Sequence, residues 1–492
     1  VPPARLGRII ITEEQTMPKR MPLPTRVGAR AARLTLACCA ALAFAPVAVA
    51  HATPAATTPA SATTPAYTPG CILVKYRSAT SPRARAAAAR AAGGLDPVAT
   101  APHTRLLRLA PGVSMSAALR AVRRRADVAW AVPDYRARLS GGLIPNDRGD
   151  GAQAGDWQQL QWNFSGPFGV NAPQAWANLD ADGAPGGKGV IVAVLDTGVA
   201  YANHGRFVRS PDFSRHGFVA GYDFIAHDRF PEDRNGHGTF VAGTIAEATN
   251  NHYGLTGLAF ASRIMPVRVL DSQGEGEAST IAEGVRFAVN HGAQVINLSL
   301  EFSSNVTASD IPELIEALHY ARRRGVLVVA AAGNEGHTAI AYPARAPDVV
   351  AVGASTEHGC LADYSNDGSG LTLVAPGGGA DANLPGDPNC HPEEPAGRDI
   401  YQVTFTGSSP RRFGMPSGYE GTSMAAPHVA ATAALIIASG VLGRHPTPAQ
   451  IVARLRATAR KLGGGGDEAL YGAGLVDAAA ATAPGGPRAV HG

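Results

Sequence analysis

Between residues 190 and 352 the chain repeats one pattern, a short and nearly continuous apolar run followed by a helical stretch. The runs cover 190–195, 262–270, 295–300, 326–331 and 349–352, and helical periodicity fills 239–248, 279–291 and 311–324. A strand without polar alternation is buried on both faces, and helices between such strands provide the crossovers that parallel pairing needs. The expected fold is therefore α/β, a mostly parallel sheet with helices on both faces. Functional residues in such sheets collect at the carboxyl ends of the strands, so the residues that follow each run carry the most information.

Residues 421–429 read Gly-Thr-Ser-Met-Ala-Ala-Pro-His-Val and open an apolar helical stretch to Ser439, with Pro427 close enough to its start to be tolerated. Ser423 then sits at a helix N-terminus, where free N–H groups and the positive dipole end favour an oxyanion forming beside its hydroxyl. A serine hydroxyl is a weak nucleophile alone and needs a histidine base oriented by a carboxylate. Asp196 directly follows the first apolar run, and His237 lies between Gly236 and Gly238 just before a helix. Asn334 follows the 326–331 run, and its side-chain amide offers a second oxyanion donor beside the Ser423 N–H. His428 is a rival base, but five residues along the helix it is rotated by about 140° from Ser423, which makes it structural. Each residue alone has an ordinary reading as a turn cap, loop histidine or Gly-Asn turn; only the set points to chemistry.

With 492 residues, 45% hydrophobic and 17% charged, the chain can bury a large core and holds more than one domain. Residues 1–140 carry 20 Lys/Arg against 5 Asp/Glu, and the remainder 23 against 34. An acidic body argues against nucleic-acid binding, which brings an excess of Lys and Arg. From Met17 or Met21 a basic stretch precedes an apolar run over 34–50 ending in Ala48-Val49-Ala50, the pattern of a cleaved secretory leader. An uncleaved N-terminal membrane anchor is the alternative. Loss of Cys38 and Cys39 with the leader leaves Cys71, Cys360 and Cys390. Pairing of Cys360 with Cys390 is one possibility, with Cys71 left over. After an Ala/Thr/Pro-rich linker over 51–70, residues 71–140 read as a small α+β unit, with strands at 72–76, 104–109 and 128–132, the last extended over 135–139, and helices at 82–92 and 114–125. The body covers 141–480 and a flexible tail 481–492. Residues 377–417 read as a surface excursion near the cleft, and 447–462 as an amphipathic helix.

Taken together, Asp196-Thr197-Gly198, His237-Gly238-Thr239, Ala332-Gly333-Asn334 and Gly421-Thr422-Ser423-Met424-Ala425 resemble the motifs of the subtilisin-like serine peptidase family, in its order Asp, His, Ser. The resemblance spans about 161–480. It implies a secreted endopeptidase working through an acyl-enzyme on Ser423, with His237 as base, Asp196 as its orienter and Asn334 as oxyanion donor. It also implies that residues 71–140 are an inhibitory propeptide, removed by self-cleavage near 139–146, and that substrate polypeptide adds as a strand between Ser299-Leu300-Glu301 and Ala331-Ala332-Gly333. Ala341 would lie near the base of the primary side-chain pocket. Glu301 stands where the family commonly has glycine; it suggests either basic preference or a narrowed mouth, and an apolar preference is favoured because no acid is evident at the pocket base. The resemblance further implies structural calcium and no cofactor for the chemistry. The calcium ligands would be Asp147, Asp212, Thr249, Asn251, Tyr253 and Leu255, side-chain and carbonyl oxygens of the kind Ca²⁺ takes. A monomer is expected. An idle binding protein on the same scaffold is disfavoured by retention of every chemical residue. An esterase or lipase is disfavoured by the absent second glycine of the G-x-S-x-G elbow and by the residue order.

Overall fold

The computed structural model describes residues 67–135, 143–181, 183–407, 409–463 and 468–484. The expected leader, most of the linker, the strand extension past Tyr135, the first part of the 139–146 joint and the end of the tail fall outside these residues. The chain divides into two compact units between Ala137 and Arg138.

The first unit runs β1 (Tyr67–Tyr76), α1 (Pro82–Ala91), β2 (Gly94–Ala101), β3 (Thr104–Leu109), α2 (Met115–Arg123), β4 (Val128–Tyr135). Its antiparallel sheet has the order β2-β3-β1-β4, a split βαβ arrangement. Helix α1 starts where Ser81 accepts the Ala84 N–H and Pro82 supplies a ready φ. Ile72, Val74 and Tyr76 alternate on one face of β1 and pack with Leu107, Leu119 and Val122. Strand β2 is absent from the sequence reading because Gly94, Asp96 and Pro97 all disfavour strand. A register shift between Leu95 and Val98 absorbs the Asp-Pro step as a bulge.

The second unit is built on a seven-stranded sheet in the order β11-β10-β9-β8-β5-β7-β6, with every pairing parallel. The strands are β5 (Ile191–Asp196), β6 (Tyr222–Asp223), β7 (Arg263–Arg268), β8 (Val295–Leu298), β9 (Leu327–Ala331), β10 (Val349–Ser355) and β11 (Leu373–Pro376). Successive side chains of one strand serve two cores. Val192 and Val194 face the layer formed by helices Ala172–Ala181, His237–Ala246 and Thr422–Ser439, whereas Ala193 and Leu195 face Ala278–Asn290 and Pro312–Arg323. Strands β9 and β10 alternate in the same way, which is why their sequences are apolar throughout. The helix Thr422–Ser439 is buried nearly all round beneath the sheet. The order reverses direction between β5 and β8, and ligands of open α/β sheets bind outside the strand ends at such a switch point.

Residues 472–476 extend the sheet beyond β11: Ala473 N–H donates to Thr372 O, Val374 N–H to Gly474 O and Val476 N–H to Val374 O. Cys360 and Cys390 are joined by a disulfide. The expected excursion over 377–417 is not wholly superficial, because Ile400, Val403, Thr404 and Phe405 are buried. Val403 N–H donates to Glu247 Oε1 and Thr404 Oγ1 to Gly236 O, so this segment braces the start and the end of the His237–Ala246 helix.

Candidate active site

Asp196 ends β5 and is completely buried between β7 and β8. Its Oδ1 accepts the Thr197 N–H at 2.7 Å and His237 Nδ1–H at 2.8 Å, which leaves Nε2 as the basic nitrogen. His237 opens a helix whose start is pressed against Asp196: a Cβ on Gly238 would fall 2.1 Å from the Gly198 carbonyl oxygen, and Gly236 takes φ 111°. The loop is held by the buried Asp233, which accepts from Thr197 Oγ1, from the N–H groups of Asn235, Gly236 and Thr239, and from Thr239 Oγ1. The imidazole is 25% exposed. Burial pulls its pKa down, but the charge and hydrogen bond of Asp196, with Asp233 behind, outweigh this and raise it above the ordinary histidine value.

Ser423 is the second residue of the Thr422–Ser439 helix. Pro427 has no N–H, so the Ser423 carbonyl four residues earlier lacks its intrahelical donor. Ser299 Oγ donates to it instead, at 2.7 Å. The Ser423 hydroxyl in turn donates to the Ser299 carbonyl at 3.3 Å. Ser423 is therefore turned toward the end of β8 and makes no hydrogen bond with His237, although both line one cleft of about 620 Å³. The residue that clasps the serine's carbonyl also captures its hydroxyl. His428 is fully buried, donates Nδ1–H to Met424 O at 2.9 Å and accepts Asn163 Nδ2–H at 2.7 Å. Burial lowers its pKa to about 4, so it is a neutral core residue.

Asn334 is tied to the same helix start: its Oδ1 accepts the Thr422 N–H at 2.8 Å and Thr422 Oγ1–H at 2.9 Å. One of the two N–H bonds of its Nδ2 is engaged. Glu301 accepts from Asn334 Nδ2 at 3.2 Å and from the Asn334 N–H at 3.0 Å. The Ser423 N–H lies in the first helical turn, where no intrahelical acceptor exists. The two expected substrate edges differ in availability. Ser299, Leu300 and Glu301 line the cleft, but the N–H groups of Ala332 and Gly333 already donate, to Val352 O and Thr422 Oγ1. Ala331 is the last residue of β9, paired with Val352 of β10, and Ala341 is buried behind Ala332, donating its N–H to Ala332 O. Segment 331–333 thus forms a wall, where an open hydrogen-bonding edge was expected, because the sheet continues past it on β10.

A family model described as the subtilase family matches residues 187–474. The chain belongs to that family. A second model, the fervidolysin N-terminal prodomain, matches residues 53–134, so this subtilase is a serine peptidase carrying an N-terminal prodomain. It is similar to subtilisin BL of Lederbergia lenta, 39% identical over 318 residues that cover 64% of this chain and 98% of that protein. Similarity to thermitase of Thermoactinomyces vulgaris is 35% over 301 residues, 61% and 90% of the two chains. Among solved structures, a protease from Pseudoalteromonas arctica aligns with TM-score 0.55 at 32% identity, covering 69% of this chain and 99% of its own.

On another side of the subtilase unit, Asp147 accepts the N–H groups of Asn250 and Asn251, and Asp212 accepts from Asn251 Nδ2 and the Leu255 N–H. Tyr253 N–H donates to Asn251 Oδ1, whereas the Thr249 hydroxyl turns away to Glu247 O. Both aspartates are fully buried. Burial, with Asp147 adding, pushes Asp212 up to about 8. The fully buried Glu247 lies near both, and its Oε2 has no hydrogen-bond partner among the described residues. Buried carboxylates without a counter-charge fit a cation. Among the described residues no three His, Cys, Asp or Glu side chains converge on one point, so such a cation would draw on amide and main-chain oxygens as well, as calcium does.

Sequence reasoning missed Asp233, Thr422, Glu247 and the Ser299 hydroxyl. Asp233 had a usable signal, since Asp-x-Asn-Gly just before His237 is Asx-turn chemistry. The others act across the fold and leave no local trace.

Proposed function

We propose that this subtilase hydrolyses polypeptides by acyl transfer through Ser423, His237 and Asp196. The reading is carried by the 2.8 Å His237–Asp196 hydrogen bond at the rim of a cleft that Ser423 also lines. In this mechanism the Ser423 side chain rotates from the Ser299 carbonyl toward His237 Nε2, gives up its proton there and attacks the substrate carbonyl. Asp196 holds the imidazole tautomer and stabilises its cation. The Ser423 N–H and the second N–H of Asn334 Nδ2 receive the oxyanion, and His237 returns the proton to the leaving amine before water deacylates the enzyme. Substrate pairs chiefly along Ser299-Leu300-Glu301.

The prodomain acts as an inhibitor in the precursor, removed by the enzyme's own chemistry near residues 139–146, and the basic-then-apolar N-terminal segment directs secretion. Asp147, Asp212 and Asn251, with the carbonyls of Thr249, Tyr253 and Leu255, would hold calcium, which would supply the positive charge that the buried acids lack. The enzyme acts as a monomer. A fluorophosphonate probe tests the central claim: it is expected to label Ser423. Ser423→Ala is expected to abolish labelling, lower kcat by about 10⁶-fold and leave the precursor uncut. Undiminished peptide cleavage by Ser423→Ala would refute the assignment.

A further inference from the structure

Glu301 is an acid in a place where nothing offsets it. It leaves the end of β8 half-buried, lines the cleft with Ser423 and His237, and lies over Gly333: a Cβ on Gly333 would meet Glu301 Oε2 at 2.5 Å. The carboxylate accepts the main-chain N–H of Asn334 and one N–H of its Nδ2. Glu335 adds a second negative charge nearby, held through Oε2 by Asn366 Nδ2 at 2.6 Å. Among the described residues no Lys, Arg or His lies within salt-bridge distance of either glutamate. Burial first, and then Glu335, push the Glu301 pKa above the usual carboxylate range.

We propose that Glu301 makes the primary pocket selective for a cationic P1 side chain, lysine or arginine, by forming with the substrate the ion pair that the described residues do not give it. The inference rests on the acyl-transfer reading above and reverses the apolar preference expected from sequence. Asn334 Nδ2 keeps a second N–H for an oxyanion while Glu301 holds the first, so the carboxylate can stay beside the reacting centre during the reaction. An apolar P1 group would bury the half-buried carboxylate further, beside the charge of Glu335 and without a cation, which is costly. A P1 ammonium or guanidinium gives it one and relieves the repulsion between the two glutamates. Recognition of the matching side chain is then expressed in kcat/KM.

The test uses the full chain after maturation, with active sites counted by fluorophosphonate titration and peptides that differ only at P1 (Arg, Lys, Gln, Leu, Phe). Arg and Lys substrates are expected to exceed Leu and Phe by at least about tenfold in kcat/KM per labelled site. Glu301→Gly is expected to reverse that order. Glu301→Gln, which keeps an acceptor for Asn334 and guards against misfolding, is expected to erase the Arg and Lys advantage. A wild-type enzyme that prefers Phe or Leu, or an Arg-to-Phe ratio unmoved in both variants, overturns the proposal while labelled Ser423 keeps the acyl-transfer reading intact. A protein that neither labels nor cleaves any peptide overturns both.

Discussion

His237 and His428 show one side chain put to opposite uses by its surroundings. His237 faces a carboxylate and binds its proton more firmly than a free histidine, so the neutral base is available only above an elevated pKa. The acid limb of the kcat/KM profile is therefore expected to have its midpoint above about 6.5. Asp196→Asn, which removes the charge that lifts it, should move the limb to lower pH and reduce kcat by about 10⁴-fold; both are read from one pH series. His428 has no carboxylate, only the Met424 carbonyl and the Asn163 amide. Its folded pKa of about 4 lies below the unfolded value. The stability it confers is then complete above about pH 6.5 and lost as pH falls toward 4, roughly 3 kcal/mol in all. Denaturant melts should show this decline, and His428→Leu should flatten it, whatever its cost at neutral pH. Both histidines were separable in the sequence, one between glycines before a helix and the other inside an apolar helix. Glu301 was visible only as a departure from a motif. Its grip on Asn334 depends on how the ends of β8 and β9 converge, which no local pattern encodes.

At the level of elements, long apolar strands and helices were legible because burial on two faces writes itself into composition, as in β5, β9 and β10. Two-residue β6 and the Gly- and Pro-bearing β2 were not, because their pairing partners and not their own residues hold them in place. The same distinction applies to the 400–405 segment, which reads as loop yet braces the His237 helix. The bond between Cys360 and Cys390 closes a loop of 30 residues. Replacing both cysteines with serine is expected to cost about 3–4 kcal/mol if the constraint acts on the unfolded chain, measured as a shift in denaturant midpoint at constant m-value. Ser299→Ala removes the hydroxyl that satisfies the carbonyl orphaned by Pro427. It is expected to destabilise the protein by about 1–3 kcal/mol and to lower kcat more than it raises KM, a split that steady-state kinetics resolves.

For the molecule as a whole, the buried acids Asp147, Asp212 and Glu247 set the dependence on ions. Chelation by EGTA is expected to lower the Tm of the peptidase unit, with recovery on adding excess calcium but not magnesium, which demands a tighter octahedral shell; calorimetry would record it. Unchanged Tm across both treatments would remove calcium from the account. The far end of the sheet carries a different lesson. Strand β11 is shielded by residues 472–476, a segment that follows every strand of the sheet in sequence. Residues 472–476 must therefore be made before that flank is covered, and any product ending short of Tyr471 would display a naked ladder of amides and carbonyls to its siblings. Residues 472–476 act as a seal against self-association, so forms truncated before them should precipitate before they lose their secondary structure.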